Sequence, residues 1–319
     1  MNKNIYIAAC DKNGGIYHFT QNDDGSLTEK NFYPLDRPLY MTVEKNKMYI
    51  ILREPFDDDT NSGVMSFEIE KDGSLIRPVE CESTEGKCAC HLTVKEGNIF
   101  CVNYISGSVI KVGEKLVMNI GDGPNKPRQD KTHMHFVNFS PDGKYLLVTD
   151  LGLDTIFTYD KNLNEISRAK VPDGHGVRHL AYSDDGKYIF SANELASTVS
   201  VFSYNDGKLE LIDTLSGIPS DFMSKTTMAA IRVHDGFIYA SNRGHDSISK
   251  FSFDGTKLHL EDVISVGGSG PRDFDFIGDY VYSTNEQTNN VTVLKNENGK
   301  LTLLPFAYNM PDPLCVITI

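Results

Sequence analysis

The sequence predicts an all-β protein: a seven-bladed β-propeller of four-stranded antiparallel blades, occupying residues 1–319 as one domain. Three observations predict it. A unit of paired alternating strands recurs along the chain, Asp-Gly-type turns fall at fixed places in it, and its period is 43 to 50 residues. Evenly spaced short strands, turn dipeptides and a repeat of roughly 40–50 residues are what propeller blades look like in sequence. The length agrees, since 319 residues over seven blades is about 46 each.

The unit opens with an alternating strand, turns, and runs into a second strand that ends on a polar residue. Its clearest copies are HFVNFSPDGKYLLVTD (135–150), HLAYSDDGKYIFSAN (179–193), IRVHDGFIYASN (231–242) and FDFIGDYVYSTN (274–285). Weaker copies lie at 91–103 and 40–53. A third strand comes next, as in LDTIFTY, ASTVSVF, HDSISKF and TNNVTVL. Further turns at Asp24-Gly25, Asp72-Gly73, Asp206-Gly207, Asp254-Gly255 and Asn298-Gly299 lead into a fourth. The chain begins on a second-type strand (Ile5 to Ala9) and ends on an isolated first-type strand, PDPLCVITI. The C-terminal strand is therefore expected to complete the N-terminal blade, closing the ring and removing its free edges. With no Trp in the chain, the WD signature is absent.

Composition narrows the function. The net charge of −13 excludes a general basic footprint for nucleic acid or a membrane surface. Any anion would have to be met by a few cations gathered in one place. The longest apolar run, Ile5 to Cys10, is six residues, far below the roughly 20 of a spanning helix. It is also too short for the apolar region of a signal peptide, although Ile7-Ala8-Ala9-Cys10 has a lipoprotein-like pattern. Six irregularly spaced cysteines read as free thiols in a reducing, cytoplasmic setting. Cys88-Ala89-Cys90-His91 lacks a second ligand pair for zinc, and Asp57-Asp58-Asp59 reads as a solvated loop, so neither metal nor cofactor is expected. No G-x-S-x-G elbow, H-E-x-x-H or phosphate loop occurs.

Seven copies within one chain separate scaffold from site. The polar residues ending the second strand, Arg53, Asn103, Asp150, Asn193, Asn242 and Asn285, fill a recurrent slot and read as caps on the next turn. The slot at the start of the first strand holds Leu39, Cys90, His135, Arg178, Ala229, Arg272 and Leu314. Small and apolar residues there suit a packed channel wall; His135, Arg178 and Arg272 do not. The slot after the cap holds Tyr104, Leu151, Glu194, Arg243 and Glu286. His135, Arg178, Glu194, Arg243, Arg272 and Glu286 should thus converge on one channel mouth. Clustered guanidiniums suit planar recognition of carboxylate or phosphate, and a neighbouring carboxylate or imidazole can take a proton from water. The alternative for the same register is a belt of ion pairs between blades. The glycine-rich entries Asp173-Gly174-His175-Gly176 and Gly267-Gly268-Ser269-Gly270-Pro271 read as blade connections that could also approach a ligand.

The segments HMHFVNFSPDGKYLLVTDLGLDTIFTYD (133–160), VRHLAYSDDGKYIFSANELASTVSVFSY (177–204), YASNRGHDSISKF (239–251) and PRDFDF…STNEQTNNVTVL (271–294) resemble the seven-bladed lactonase family. That family includes propeller-type 6-phosphogluconolactonases and a carboxymuconate-lactonising cycloisomerase. The resemblance implies a catalytic set of His135, Arg178, Glu194 and Arg243. It adds His133 and His179, beside Arg272 and Glu286, as substrate-binding candidates. Residues 86–91 and Asp273 depart from the family pattern, where Pro-Cys-His and His are more usual. The implied activity is metal-free hydrolysis of a small anionic sugar-acid lactone, foremost 6-phosphogluconolactone, with Glu194 or His135 as the base. A non-catalytic propeller binding an anion or a protein partner, or a muconate-type cycloisomerase, uses the same residues.

Overall fold

The computed structural model describes residues 3–57 and 60–319. These residues form twenty-eight strands in seven four-stranded antiparallel sheets, and none of them is helical. Blade 1 is built from β28 (Pro313–Thr318), β1 (Asn4–Ala9), β2 (Gly15–Gln21) and β3 (Leu27–Pro34), so the C-terminal strand does complete the N-terminal blade. Ile7 of β1 faces Val316 of β28 in that closure. The innermost strands of the other blades are β4 (Pro38–Glu44), β8 (Ala89–Lys95), β12 (Met134–Phe139), β16 (Val177–Tyr182), β20 (Thr227–His234) and β24 (Pro271–Ile277). Together with β28 they contact one another in order around a closed ring.

The position of a strand within its blade explains its sequence. Second strands such as β13 (Leu146–Asp150), LLVTD, are buried throughout because neighbouring blades cover both faces. Outermost strands such as β27 (Lys300–Asn309) largely alternate exposed and half-buried residues, as a sheet with one wet face must. Seven hydrophobic clusters result, one at each blade interface; Phe100, Val148 and Phe157 serve blades 3 and 4, and Ile7, Tyr282 and Val293 serve blades 7 and 1. The Asp-Gly turns are used as expected. Gly143 (φ +68°) closes the Ser140–Asp142 turn, its N–H donating to the Ser140 carbonyl at 2.8 Å.

The recurrent polar residues are buried caps. Asn193 Nδ2 donates to Thr198 Oγ1 (3.0 Å) and Ser200 Oγ (2.8 Å), and Asn285 Nδ2 to Asn290 Oδ1 (3.1 Å) and Thr292 Oγ1 (3.0 Å). The Asp150 carboxylate accepts from the N–H groups of His133, Gly152 and Leu153. Arg53 is not one of them. Pro38 of β4 faces Leu52, just as Met134 faces Asp150 and Val177 faces Asn193. Leu52 therefore holds the cap position of blade 2 and Arg53 lies one residue further on. The strand signal MYIILR ends without a polar residue, which slips the sequence register by one.

Candidate active site

One channel mouth is shaped by the same backbone device in every blade. At the start of each innermost strand the antiparallel register skips a residue: Leu39, Cys90, His135, Arg178, Arg272 and Leu314, and Ala229 with Ala230 in β20. A β-bulge frees its extra residue from the ladder and re-aims the side chain. These are the seven positions singled out by comparing the blades in sequence. Their partners are the residues after the caps, Cys10, Arg53, Tyr104, Leu151, Glu194, Arg243 and Glu286. In six of the seven, Arg243 excepted, the backbone N–H donates to a carbonyl of the segment entering the innermost strand, for example Glu194 to Gly176 (2.7 Å) and Arg53 to Arg37 (3.2 Å). Both slots thus deliver side chains to the same end of the ring.

Leu39, Cys90, His135 and Arg272 from the first slot, and Arg53, Tyr104, Glu194 and Arg243 from the second, line a cavity of about 340 Å³, completed by Cys88 and Arg128. An adjoining cavity of about 280 Å³ shares Arg128, Glu194 and Arg243 and adds Lys225 and Glu286. A larger depression of about 470 Å³ lies among hairpin turns of blades 1 and 7, and no bulge or post-cap residue reaches it.

Glu194 is the centre of the charge network. Its Oε1 accepts from Arg128 Nη2 at 2.6 Å, while Oε2 lies 3.1 Å from Arg243 Nη2 and 3.2 Å from Arg178 Nε. The Glu194 and Arg178 side chains are only 5% and 3% exposed. Burial alone would raise the Glu194 carboxyl, but the Arg243 and Arg178 charges outweigh it and hold the group well below the usual carboxylate range. Arg178 lies beneath the cavity, its Nη1 donating to the Ala229 carbonyl at 2.9 Å. Burial, with the Arg272 and Arg243 charges, pulls its guanidinium down to about 9, and Glu194 opposes that shift. Glu286 receives Arg272 at 3.2 Å and lies 3.8 Å from Arg243. An ion-pair belt between blades therefore exists, but it is unbalanced. Five guanidiniums, Arg53, Arg128, Arg178, Arg243 and Arg272, surround two carboxylates, with Asp312 at the edge making no ion pair among the described residues.

His135 lines the cavity with Nδ1 enclosed and without a hydrogen bond. Burial first and the Arg178 charge second push its imidazole well below the ordinary value, so it is neutral at physiological pH. His133 and His179 stand elsewhere. His133 bonds Asp130 Oδ1 (2.9 Å) and the Tyr104 carbonyl (3.1 Å) and stacks on the Tyr104 ring at 4.5 Å, behind the cavity wall. His179 packs deeper in the channel, its ring 5.3 Å from His135 and 5.2 Å from His91. The glycine-rich entries are blade connections: Gly174 and Gly176 donate to Asp154, and Gly270 to Asp246. His91 packs between the Tyr40 and Phe136 rings, and among the described residues no three His, Cys, Asp or Glu side chains are grouped to hold a metal. Asp58 and Asp59 of the acidic run lie outside the described residues. The six cysteines are free thiols.

The blade comparison missed Arg53 and Arg128. Arg53 was hidden by the one-residue slip in blade 2. Arg128 sits in the 119–133 connection between β11 (Lys115–Met118) and β12, which is longer than the equivalent connections of the other blades.

Fold and site define a closed seven-bladed propeller whose one mouth gathers guanidinium charge around a buried carboxylate and a neutral imidazole. The chain belongs to the family described as Lactonase, 7-bladed beta-propeller, which matches residues 4–318. An uncharacterized Staphylococcus aureus protein is 34% identical over 336 aligned residues, 96% of each chain. A crystal structure of a Lactobacillus plantarum protein superposes with a TM-score of 0.91 at 28% identity, covering 100% of both chains. A Bacteroides fragilis protein, provisionally called a 6-phosphogluconolactonase, superposes at 0.89 with 26% identity, over 100% of this chain and 98% of its own. Among the described residues no helix is long and apolar enough to cross a membrane.

Proposed function

We propose that the protein hydrolyses an anionic sugar-acid lactone, foremost 6-phosphogluconolactone, at this mouth and without a metal. The observation that carries the reading is the unbalanced charge: five guanidiniums around two carboxylates in a chain of net charge −13. Such a mouth draws in an anion and rejects neutral competitors. The Bacteroides protein's name supports the choice of lactone, and the free thiols support a cytoplasmic location.

The geometry supports a division of labour. Glu194 has both oxygens engaged by guanidiniums and is too acidic to take a proton readily, so it serves as the anchor that orders Arg128 and Arg243. His135, neutral and facing the same cavity, is the better proton acceptor. Water attacks the lactone carbonyl carbon as His135 takes its proton. The Arg243 guanidinium faces the oxyanion of the tetrahedral intermediate. Collapse breaks the ring C–O bond, and the proton returns from His135 to the departing alkoxide. Arg178 acts through Glu194 and is a positioning residue.

The test is a pH-stat assay over a panel of lactones, with the spontaneous rate subtracted, before and after treatment with chelator. Turnover above background that survives chelation is expected, and Arg243→Ala or His135→Ala should lower it roughly 100-fold or more. Lactone decay at its spontaneous rate would overturn the assignment, even if sugar-acid anions raised the melting temperature.

A further inference from the structure

Arg53 is the cavity-lining guanidinium with no acidic partner among the described residues. Arg128, Arg243 and Arg272 each pair with Glu194 or Glu286. Glu54, next in sequence, is committed to Arg37 at 2.7 Å. Asp312 feels the Arg272 and Arg53 charges yet forms an ion pair with neither. Arg53 Nε is enclosed by protein and makes no hydrogen bond. The Nε atoms of Arg178 and Arg243 are enclosed in the same way, so what sets Arg53 apart is a charged fork lining the cavity with no ion pair on it.

Its place in the ring sets it apart from the Glu194 cluster. Arg53 occupies the post-cap slot that delivers Glu194, Arg243 and Glu286 to the mouth, but it comes from blade 2. Glu194 and its three guanidiniums belong to blades 5 and 6 and to the connection entering blade 4. Arg272 of blade 7 is the other cation on Arg53's side, and between them blade 1 contributes Leu314 and Cys10. The cavity therefore has two poles: one where three guanidiniums gather on Glu194, and one where Arg53 stands without an ion pair beside Arg272, which is paired with Glu286.

We propose that Arg53, seconded by Arg272, forms an anion subsite that holds a phosphomonoester of the substrate remote from the ring being opened. The guanidinium fork matches the phosphate oxygens, which supply the charged partner that no described carboxylate gives Arg53. The subsite rests on the lactonase reading for its role in turnover, but not for its ligand. It selects phosphorylated lactones over neutral ones, while Glu194, Arg243 and His135 serve the carbonyl.

Two measurements on the full-length protein test it. The first compares kcat/KM for 6-phosphogluconolactone and unphosphorylated glucono-1,5-lactone in wild type, Arg53→Gln and Arg53→Lys. In Arg53→Gln the phosphorylated-to-neutral ratio should fall roughly 30-fold or more, mainly through KM, as expected on losing a charge-assisted partner. Arg53→Lys should recover part of that loss, because it keeps the charge without the fork. The second titrates 6-phosphogluconate and inorganic phosphate into the same proteins by calorimetry. Weaker binding of both in Arg53→Gln supports the subsite even if wild type opens neither lactone, in which case only the hydrolase reading fails. An unchanged ratio, or unchanged affinity for both anions, overturns the proposal.

Discussion

Replacing Glu194 by Gln removes one negative charge while keeping the shape and one acceptor oxygen. Arg128, Arg178 and Arg243 then lose their shared counter-ion. Arg178, 3% exposed, is left charged in the interior with Arg272 and Arg243 pressing on it. Breaking a buried pair on one side costs about 3–5 kcal/mol, and the retained amide places the variant near about 3. Unfolding entropy of about 2.1 cal/mol/K per residue gives a chain of this length about 0.7 kcal/mol/K, so the melting temperature should fall by roughly 4–5 °C. The pH dependence is more diagnostic. Glu194 is more acidic folded than unfolded, so as pH falls the unfolded chain takes up the proton first. The Glu194 contribution is complete above its unfolded value of 4.5 and is lost progressively below it. Differential scanning calorimetry of wild type and Glu194→Gln from pH 8 to pH 3.5 should show a constant gap down to about pH 5, narrowing at lower pH. Equal melting temperatures at pH 7, or a gap that widens in acid, would refute the claim that this carboxylate neutralises the buried guanidiniums.

Other consequences are read as directly. The His135 imidazole is pushed well below its ordinary value. Enzymatic kcat, after subtraction of spontaneous opening, should therefore be flat from about pH 6 to 8, and a break near the ordinary histidine value of about 6.5 would contradict His135 as base. Deleting residues 313–319 removes β28, with buried Leu314, Cys315 and Val316, and exposes the inner edge of β1. That variant should lose its cooperative melt and aggregate, as followed by circular dichroism and size exclusion; a melt within about 5 °C of wild type would show that the ring does not depend on closure. Asn103 Nδ2 donates to the Thr84 carbonyl and Ser108 Oγ, both at 3.0 Å and buried. Asn103→Ala should cost about 1–3 kcal/mol in urea unfolding, and no measurable loss would argue against the capping role.

The architecture was legible because the ring repeats itself. Each blade must bury both faces of its second strand and cap the next turn, so the same pattern recurs and the register can be read within one chain. The bulge slot was legible for the same reason. His135, Arg178 and Arg272 interrupt positions where other blades place Leu, Cys or Ala, and the structure shows these to be the residues freed from the ladder. What failed did so for physical reasons. In blade 2 a buried leucine replaces the polar cap, and a one-residue slip exchanged cap for mouth, hiding Arg53. Arg128 lies in a connection longer than its equivalents in the other blades, so no repeat position matches it. His133 and His179 come from resemblance and neighbour the slot residues in sequence, yet the His133 ring is held by Tyr104 and Asp130 and the His179 ring by His91, His135 and Phe136, so neither lines the charged cavity.

The most direct test of the account is a crystal structure with 6-phosphogluconate bound. The account predicts the sugar acid in the 340 Å³ cavity, its carboxylate within hydrogen-bond distance of Arg243 and facing His135, and its phosphate on Arg53 and Arg272. Product bound at the opposite mouth, or with its phosphate away from both arginines, would contradict it.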